Sequence, residues 1–478
     1  MLITLLEQWA DQRPEQPALT NESRSWNWRE YRDAVFSIAA QLSALNIRRL
    51  ALAGNNSAEW AIFDLACIHS GIVCIPVPPF FSSTQQSWLL ESCMADAIVG
   101  GERRSGWTRA ASTLGELQIR RVEAATELPA ETAKITYTSG TTGEPKGVCL
   151  SLAGMSWSAH TLAMQMRPLS LQRHMVTLPL CTLLENLCGI YIPLCLGVET
   201  IVLPPVMIGF EGSSQFNPTS FAQALTRWQP QSLVLVPELI RVLYQLHLKQ
   251  PVCTASLRFV AAGGGKISSS LLEQAQQLGL PVFEGYGLSE CGSVVSLNLP
   301  GSNQTGSAGR LLPGISAALN DRGELVIDSP ANAVGYLNGS LQHGAVCSGD
   351  IAHLDEAGFV HITGRRKNVQ ITAFGRNFSP EWIEAEAMVC PAVRRLVIFG
   401  EGLATNVALV DAMPGMEEAA RAQLHQLSQR LPDYAQLHHL LFTPTISSPA
   451  VLTPNGRPRR DAIWQLFHEQ ILSYSEAS

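Results

Sequence analysis

The sequence has no pair of cysteines at CxxC spacing, no Cys/His cluster at metal-ligand spacing, and no run of about 18 apolar residues. Scattered cysteines exclude a disulfide framework and a structural zinc site. The eleven read instead as small buried residues in a reducing compartment. Cys181, Cys188 and Cys195, seven residues apart in an apolar stretch, read as one face of a core helix. Without a long apolar run no transmembrane segment is expected. The start, MLITLLEQWADQRP, lacks the basic region, apolar run and small-residue cleavage site of a signal peptide, so a cytoplasmic location is expected. A broad basic field is also missing: 33 Lys plus Arg against 40 Asp plus Glu leave a net charge of −7, and no nucleic-acid partner is expected.

What is present is a folded, enzyme-like balance of 46% hydrophobic and 15% charged residues over 478 positions, too many for one ordinary core. From Trp26 the pattern alternates: WREYRDAVFSIAAQLSALNI has helical apolar spacing, RRLALAG is a short apolar strand, SAEWAIFDLACIHSG is helical and IVCIPV is a strand. The alternation returns from SFAQALTRW to PVFEGYG, so two doubly wound α/β subdomains with parallel sheets are expected. After Gly306 the texture becomes short strands and turns, a small β-rich lobe. Beyond Lys367 the helices SPEWIEAEAMV and EEAARAQLHQLSQRL and the strands RRLVIFG and NVALVDA suffice for a separate small α+β domain. The expected division is 1–366 for the large N-terminal domain and 367–478 for a small mobile C-terminal domain.

The strongest chemical signal is TYTSGTTGEPKG, Thr136 to Gly147. Glycines let backbone N–H groups approach phosphate oxygens, and hydroxyls and one ammonium add donors. Thr138, Ser139, Gly140, Thr141, Thr142, Gly143 and Lys146 therefore read as a nucleotide phosphate loop. It is not a Walker A loop, because Lys146 follows Pro145 and precedes Gly147. A second basic feature, VLTPNGRPRR at Val451 to Arg460, concentrates three arginines around an Asn-Gly turn in an otherwise acidic chain.

The phosphate loop, with LRFVAAGGG, YGLSE at Tyr286 to Glu290, SGD at Ser348 to Asp350, GRRKN at Gly364 to Asn368 and NGRPRR, resembles the motif series of the adenylate-forming superfamily of acyl-CoA synthetases, nonribosomal peptide adenylation domains and luciferases. The likeness runs from about Trp26 to Arg460 and is nearest to the fatty acyl-CoA synthetase type. It implies two half-reactions. A carboxylate attacks the α-phosphate of MgATP to give an acyl-adenylate and pyrophosphate, and the thiol of CoA or of a carrier protein's phosphopantetheine then displaces AMP.

The resemblance also assigns roles. Tyr286 offers adenine a flat face opposite Gly263, Gly264 and Gly265. Glu284, Gly285, Gly287 and Ser289 complete that nucleotide segment. Glu290 is the anionic ligand that Mg²⁺ needs beside phosphate oxygens. Asp350 accepts from the ribose hydroxyls and Arg365 donates to the ribose or α-phosphate. Lys367 is the pivot between adenylating and thioester-forming poses. In TLPLCTLLENLCGIYIPLCLG, Glu185 falls on a family glutamate near the acyl tunnel, and Thr182 stands where the family has histidine. With Gly264 these would face the acid, which the apolar stretch suggests is fatty or aryl. Arg376 replaces a lysine that lies near the thiol carrier. Arg457 occupies the position of the family's catalytic lysine, keeping the charge in a bulkier, planar form. A second expectation is thus an adenylation-impaired relative that binds nucleotide or acyl-adenylate as a partner or sensor.

Overall fold

The protein is described by a computed structural model over residues 1–122, 127–138, 145–212, 215–337, 339, 344–373, 376–403, 405–453 and 456–476. Its helices begin where the sequence supplies caps. At the helix Trp28–Ala44, Glu30 N donates to Asn27 Oδ1 at 2.8 Å and Asn27 N to Glu30 Oε2 at 3.1 Å, satisfying two backbone donors reciprocally. At Ala58–Ser70, Trp60 N donates to Ser57 Oγ, and Gly71 ends the helix in the left-handed region at φ 67°.

Two large sheets organise the N-terminal domain. One has eight strands, the other nine, and the central strands of each pair in parallel while the edges are antiparallel. Strand alternation decides what each face meets. In Arg49–Leu52, Leu50 and Leu52 join the core shared by both sheets, and Ala51 faces a second core under the helix Ser83–Ser92. The shared core is filled by Trp28–Ala44, Ala58–Ser70 and Leu152–Met166. The outer face of the nine-stranded sheet is covered by Pro218–Trp228, Pro237–Lys249 and Ser269–Gln277. The expected α/β architecture is therefore observed, with a four-stranded β lobe at 316–365 and a smaller α+β domain. In the latter a three-stranded sheet packs helices on both faces, Leu396 and Ile398 turning one way and Val397 and Phe399 the other.

The first residues form the helix Leu2–Gln12. It buries Leu2 and Leu6, and Trp9 Nε1 donates to Leu194 O at 2.7 Å. The three cysteines at seven-residue spacing divide: Cys188 and Cys195 lie on the helical run Leu183–Leu196, and Cys181 precedes it. That run contains one wide π turn, Leu187–Tyr191.

Between the sheets lies a buried ion pair. Lys134 (1% exposed), on the strand leading into the phosphate loop, holds Asp64 (0%) at 2.6 Å and donates also to Tyr191 OH at 2.8 Å and to Asn186 Oδ1. Asp64 in turn accepts from Asn186 Nδ2 at 2.9 Å and from Tyr191 OH at 2.8 Å, so every ammonium proton and both carboxylate oxygens are engaged. Removing one member strands the other charge in a dry core, which costs about 3–5 kcal/mol. Asp64→Ala is expected to lower the thermal unfolding midpoint more than the double change Asp64→Leu with Lys134→Met, which removes both charges; calorimetry on the three proteins checks the order.

Candidate active site

Glycine-rich turns at the C-terminal ends of parallel strands place the site at the sheet edge where open α/β sheets bind ligands. The strand Phe259–Ala262 runs into Gly263, Gly264 and Gly265, and Gly264 takes φ +81°, which a side chain would strain. The neighbouring strand Val282–Tyr286 runs into Gly287, where a Cβ would stand 1.7 Å from the carbonyl oxygen of Ser293. Tyr286 OH donates to Asp350 Oδ2 at 2.7 Å, and Arg365 Nε lies 2.8 Å from Asp350 Oδ1. Asp350 is 3% exposed; burial raises its pKa, opposed by Arg365 and by the bond from Tyr286. The three expected nucleotide residues are thus one connected unit, with both Asp350 oxygens already engaged. Ser289 lies one turn beyond, on the short 3₁₀ turn that also carries Glu290.

Ser139, Gly140, Thr141, Thr142 and Gly143 lie outside the described residues. Their flanks are described: Thr132–Thr138 and Lys146–Ser151 pair antiparallel, with Thr138 opposite Lys146, whereas a Walker A loop is flanked by a strand and a helix. Lys146 Nζ sits 5.9 Å over the Tyr336 ring, and Tyr336 OH donates to Glu290 Oε1 at 3.0 Å. Tyr336 falls in the stretch of short strands and turns after Gly306, where no motif marks it. It is the bridge between the loop's lysine and the expected metal ligand, and the strand Gly335–Tyr336 is held beside the loop by pairing with Val148 and Cys149. Among the described residues no group of three or more His, Cys, Asp or Glu is arranged for a metal. One carboxylate suits Mg²⁺ that arrives on nucleotide phosphates.

The three arginines of VLTPNGRPRR have different places. Arg460 makes a half-buried ion pair with Glu384 at 2.5 Å inside the small domain, and Arg459 is exposed. Arg457 crosses to the large domain, where its guanidinium donates to Gly264 O. A tight turn aims it: Arg457 N donates to Thr453 Oγ1 at 3.0 Å, Thr453 N to Arg457 O at 2.7 Å, and Gly456 O accepts from Arg395 at 3.0 Å. Desolvation and the neighbouring Arg365 lower the Arg457 pKa, while Glu238, Asp350 and Glu381 oppose. Two other contacts cross in the same place. Glu386 accepts from Ser269 N at 3.1 Å and from the hydroxyls of Ser268 and Ser270 at the start of Ser269–Gln277. Arg241 donates to the carbonyls of Val393 at 3.0 Å, Cys390 at 3.3 Å and Pro391 at 3.1 Å. No motif marks Glu386 or Arg241. Lys367 is exposed in the turn after Val360–Arg365, and Arg376 is exposed beside a two-stranded hairpin.

A cavity of about 200 Å³ opens at Gly263, Gly264 and Tyr286 and runs under the helical segment Leu183–Leu196. Thr182 lines it, its hydroxyl donating to Pro179 O at 2.8 Å. Glu185, expected beside the acid, is not among the lining residues. It is fully buried behind the wall, accepts from Thr177 N at 3.0 Å, and lies 3.9 Å from Nε2 of His174, which does line the cavity. Burial raises the Glu185 pKa, with His174 opposing.

Glu284 faces inward beside this segment. It is buried, Oε2 has no partner among the described residues, and burial pushes its carboxyl up to about 7 from 4.5, with Lys266 opposing. A carboxyl whose folded pKa lies above its unfolded value stabilises the fold below the unfolded pKa and loses that contribution as pH rises towards the folded one. Wild-type stability should therefore fall relative to Glu284→Gln between about pH 4.5 and 7, by on the order of 3 kcal/mol, read from denaturant midpoints across that range.

A family model described as AMP-binding enzyme matches residues 6–337. The chain is 26% identical over 432 residues to 2-succinylbenzoate–CoA ligase of Bacillus subtilis, covering 84% of this chain and 86% of that one. It is 26% identical to a long-chain-fatty-acid–CoA ligase of Mycobacterium bovis, over 74% of this chain and 71% of that one. Among solved structures, o-succinylbenzoate CoA synthetase from Bacillus subtilis with its acyl-adenylate intermediate superposes with a TM-score of 0.77 at 22% identity, covering 96% and 97% of the two chains. The anthranilate CoA ligase AuaEII with anthranoyl-AMP gives 0.82 at 18%, covering 98% and 97%. With its glycine turns, its Tyr286–Asp350–Arg365 unit and a model match over more than half its length, the chain belongs to the AMP-binding enzyme family.

Proposed function

We propose that the protein joins an apolar carboxylic acid to a thiol through an acyl-adenylate, with coenzyme A as the acceptor favoured by its relatives' names. The observation that carries this reading is the meeting of Arg457 with Gly264 at the mouth of an apolar cavity. There a cation, strand-end backbone groups and a buried acid can converge. The carboxylate oxygen attacks the α-phosphorus of ATP, the bond to the bridging oxygen of pyrophosphate breaks, and the acyl-adenylate forms. The thiol then attacks the acyl carbonyl, releasing its proton to solvent, and AMP leaves with the electron pair.

Each residue has a share in this scheme. Tyr286 and the strand-end glycines hold adenine, Asp350 and Arg365 the ribose, Lys146 the phosphates, and Glu290 the Mg²⁺ that accompanies them. Arg457 neutralises charge gathering between carboxylate and α-phosphate. An apolar cavity of 150 Å³ accommodates benzene. The 200 Å³ here therefore favours an acid with one ring or a short to medium chain over a long fatty acid.

We place the domain boundary and pivot at Lys367. Around it Asn368 N donates locally to Arg365 O and Arg366 N ties the strand end to Gly349 O, each at 2.9 Å, while the Asn368 amide reaches Glu381; a change of φ/ψ at a few such residues suffices for a pivot. The contacts of Arg241, Glu386 and Arg457 are polar, and their exchange for others would free the thiol's approach. The present arrangement suits adenylation, since Arg457 is inside the site.

Exchange of labelled pyrophosphate into ATP, screened over aryl and medium-chain acids, tests the reading; absence of exchange with every acid while ATP still binds would sink it. Arg457→Ala is expected to slow exchange about 10²-fold or more and to leave single-turnover transfer from preformed adenylate to coenzyme A within about 3-fold. If Arg457→Lys raises exchange by an order of magnitude or more, the natural arginine limits adenylation.

A further inference from the structure

We propose that the acid held in this cavity carries a hydroxyl at the end far from its carboxylate, recognised by His174 and Ser232; this deepens the ligase reading above and rests on it. The cavity floor is one face of neighbouring parallel strands. Ser232 and Val234 stand on one, and Phe259 and Ala261 on the next, in register with them. Residues in such doubly covered strands are ordinarily apolar. At the inner end, however, His174 and Ser232 are register partners on adjacent strands, 4% and 2% exposed, and both line the cavity. From the level of Ser232 and Phe259 to Gly263 is four residues, about 13 Å at ~3.3 Å per residue. The polar pair thus lies at the opposite end from the expected carboxylate.

The pair is only half satisfied. His174 Nδ1 is 2.9 Å from Ser232 Oγ, which occupies one ring nitrogen. Nε2 is buried without a hydrogen-bond partner, and so is Glu185 Oε2. The gap from His174 Nε2 to Glu185 Oε1, 3.9 Å, is too long for a hydrogen bond, and that oxygen lies behind the wall and already accepts from Thr177 N. Orphaned buried polar atoms are rare and costly, and the His174 nitrogen belongs to a residue that lines the inner end of the cavity. A ligand hydroxyl, which both donates and accepts, satisfies it in either tautomer without bringing a charge into the dry wall.

The test compares kcat/KM for adenylation, read by pyrophosphate exchange, between para-hydroxycinnamate and para-methylcinnamate and between ω-hydroxyoctanoate and octanoate. In the wild-type protein at least one pair should favour the hydroxylated acid by about 10-fold or more, because the analogue leaves the polar wall unpaired. In His174→Val and in Ser232→Val that ratio should fall below about 3-fold or invert. The ratio is taken within one preparation, so a variant's active fraction cancels, and the wild-type ratio needs no variant at all. Exchange with these acids but no wild-type preference overturns the inference alone, with ordered water as the group that fills the gap. A preference that survives in both variants removes it from His174 and Ser232. Silence with every member of both pairs, while other acids exchange, also overturns it; silence with every acid overturns the ligase reading together with it.

Discussion

The rest of the N-terminal domain hangs on the ion pair between Lys134 and Asp64. Each member comes from a different layer: Lys134 from the strand that feeds the phosphate loop, Asp64 from a helix between the sheets, and their partners Asn186 and Tyr191 from the helical run over the acyl cavity. An isolated charge in that place would be untenable. A complete network is tolerable, and its geometry then fixes the spacing of the three elements. Phosphate-binding and acid-binding parts of the site are held in one frame by this contact.

On that frame the adenylating arrangement is assembled from two directions. The large domain supplies the candidate nucleotide cradle, in which Tyr286 and Arg365 both hold Asp350. The small domain supplies Arg457 through a turn that is itself braced by Arg395, and the pose is secured where Glu386 meets the start of Ser269–Gln277. The docking contacts described are hydrogen bonds, joined by Val389, which packs against the large domain's outer core. Such a surface can be left at modest cost, which is what a two-step reaction on one centre asks of it.

Much of the fold was legible in the sequence because the period of the apolar residues differs between strand and helix, and the alternation of the two implies a parallel sheet. Much of the candidate nucleotide site could be drawn up from the sequence because glycines, hydroxyls and single charges at fixed spacing answer to phosphate chemistry, and the described structure brings Tyr286, Asp350 and Arg365 of that set together. What escaped was the set of residues that matter only through a partner distant in the chain. Tyr336 has no role until pairing sets it beside Lys146 and Glu290, and Glu386 has none until two domains meet. Glu185 shows the converse: its position in the sequence put it near the acid, but the helix turns it behind the wall, onto Thr177 and His174.

The sequence by itself determined the alternation of elements, the family's motif series and the local turn that presents Arg457, since all of these depend on neighbours within a few residues. Tertiary structure alone decided that of three clustered arginines only Arg457 reaches the candidate site while Arg460 closes a half-buried ion pair within the small domain. It also decided that an apolar cavity ends in a histidine and a serine contributed by strands 58 positions apart. The reason is physical: hydrogen bonds, desolvation and cavity shape are set by distances in space, and a linear pattern carries those only where the chain stays local.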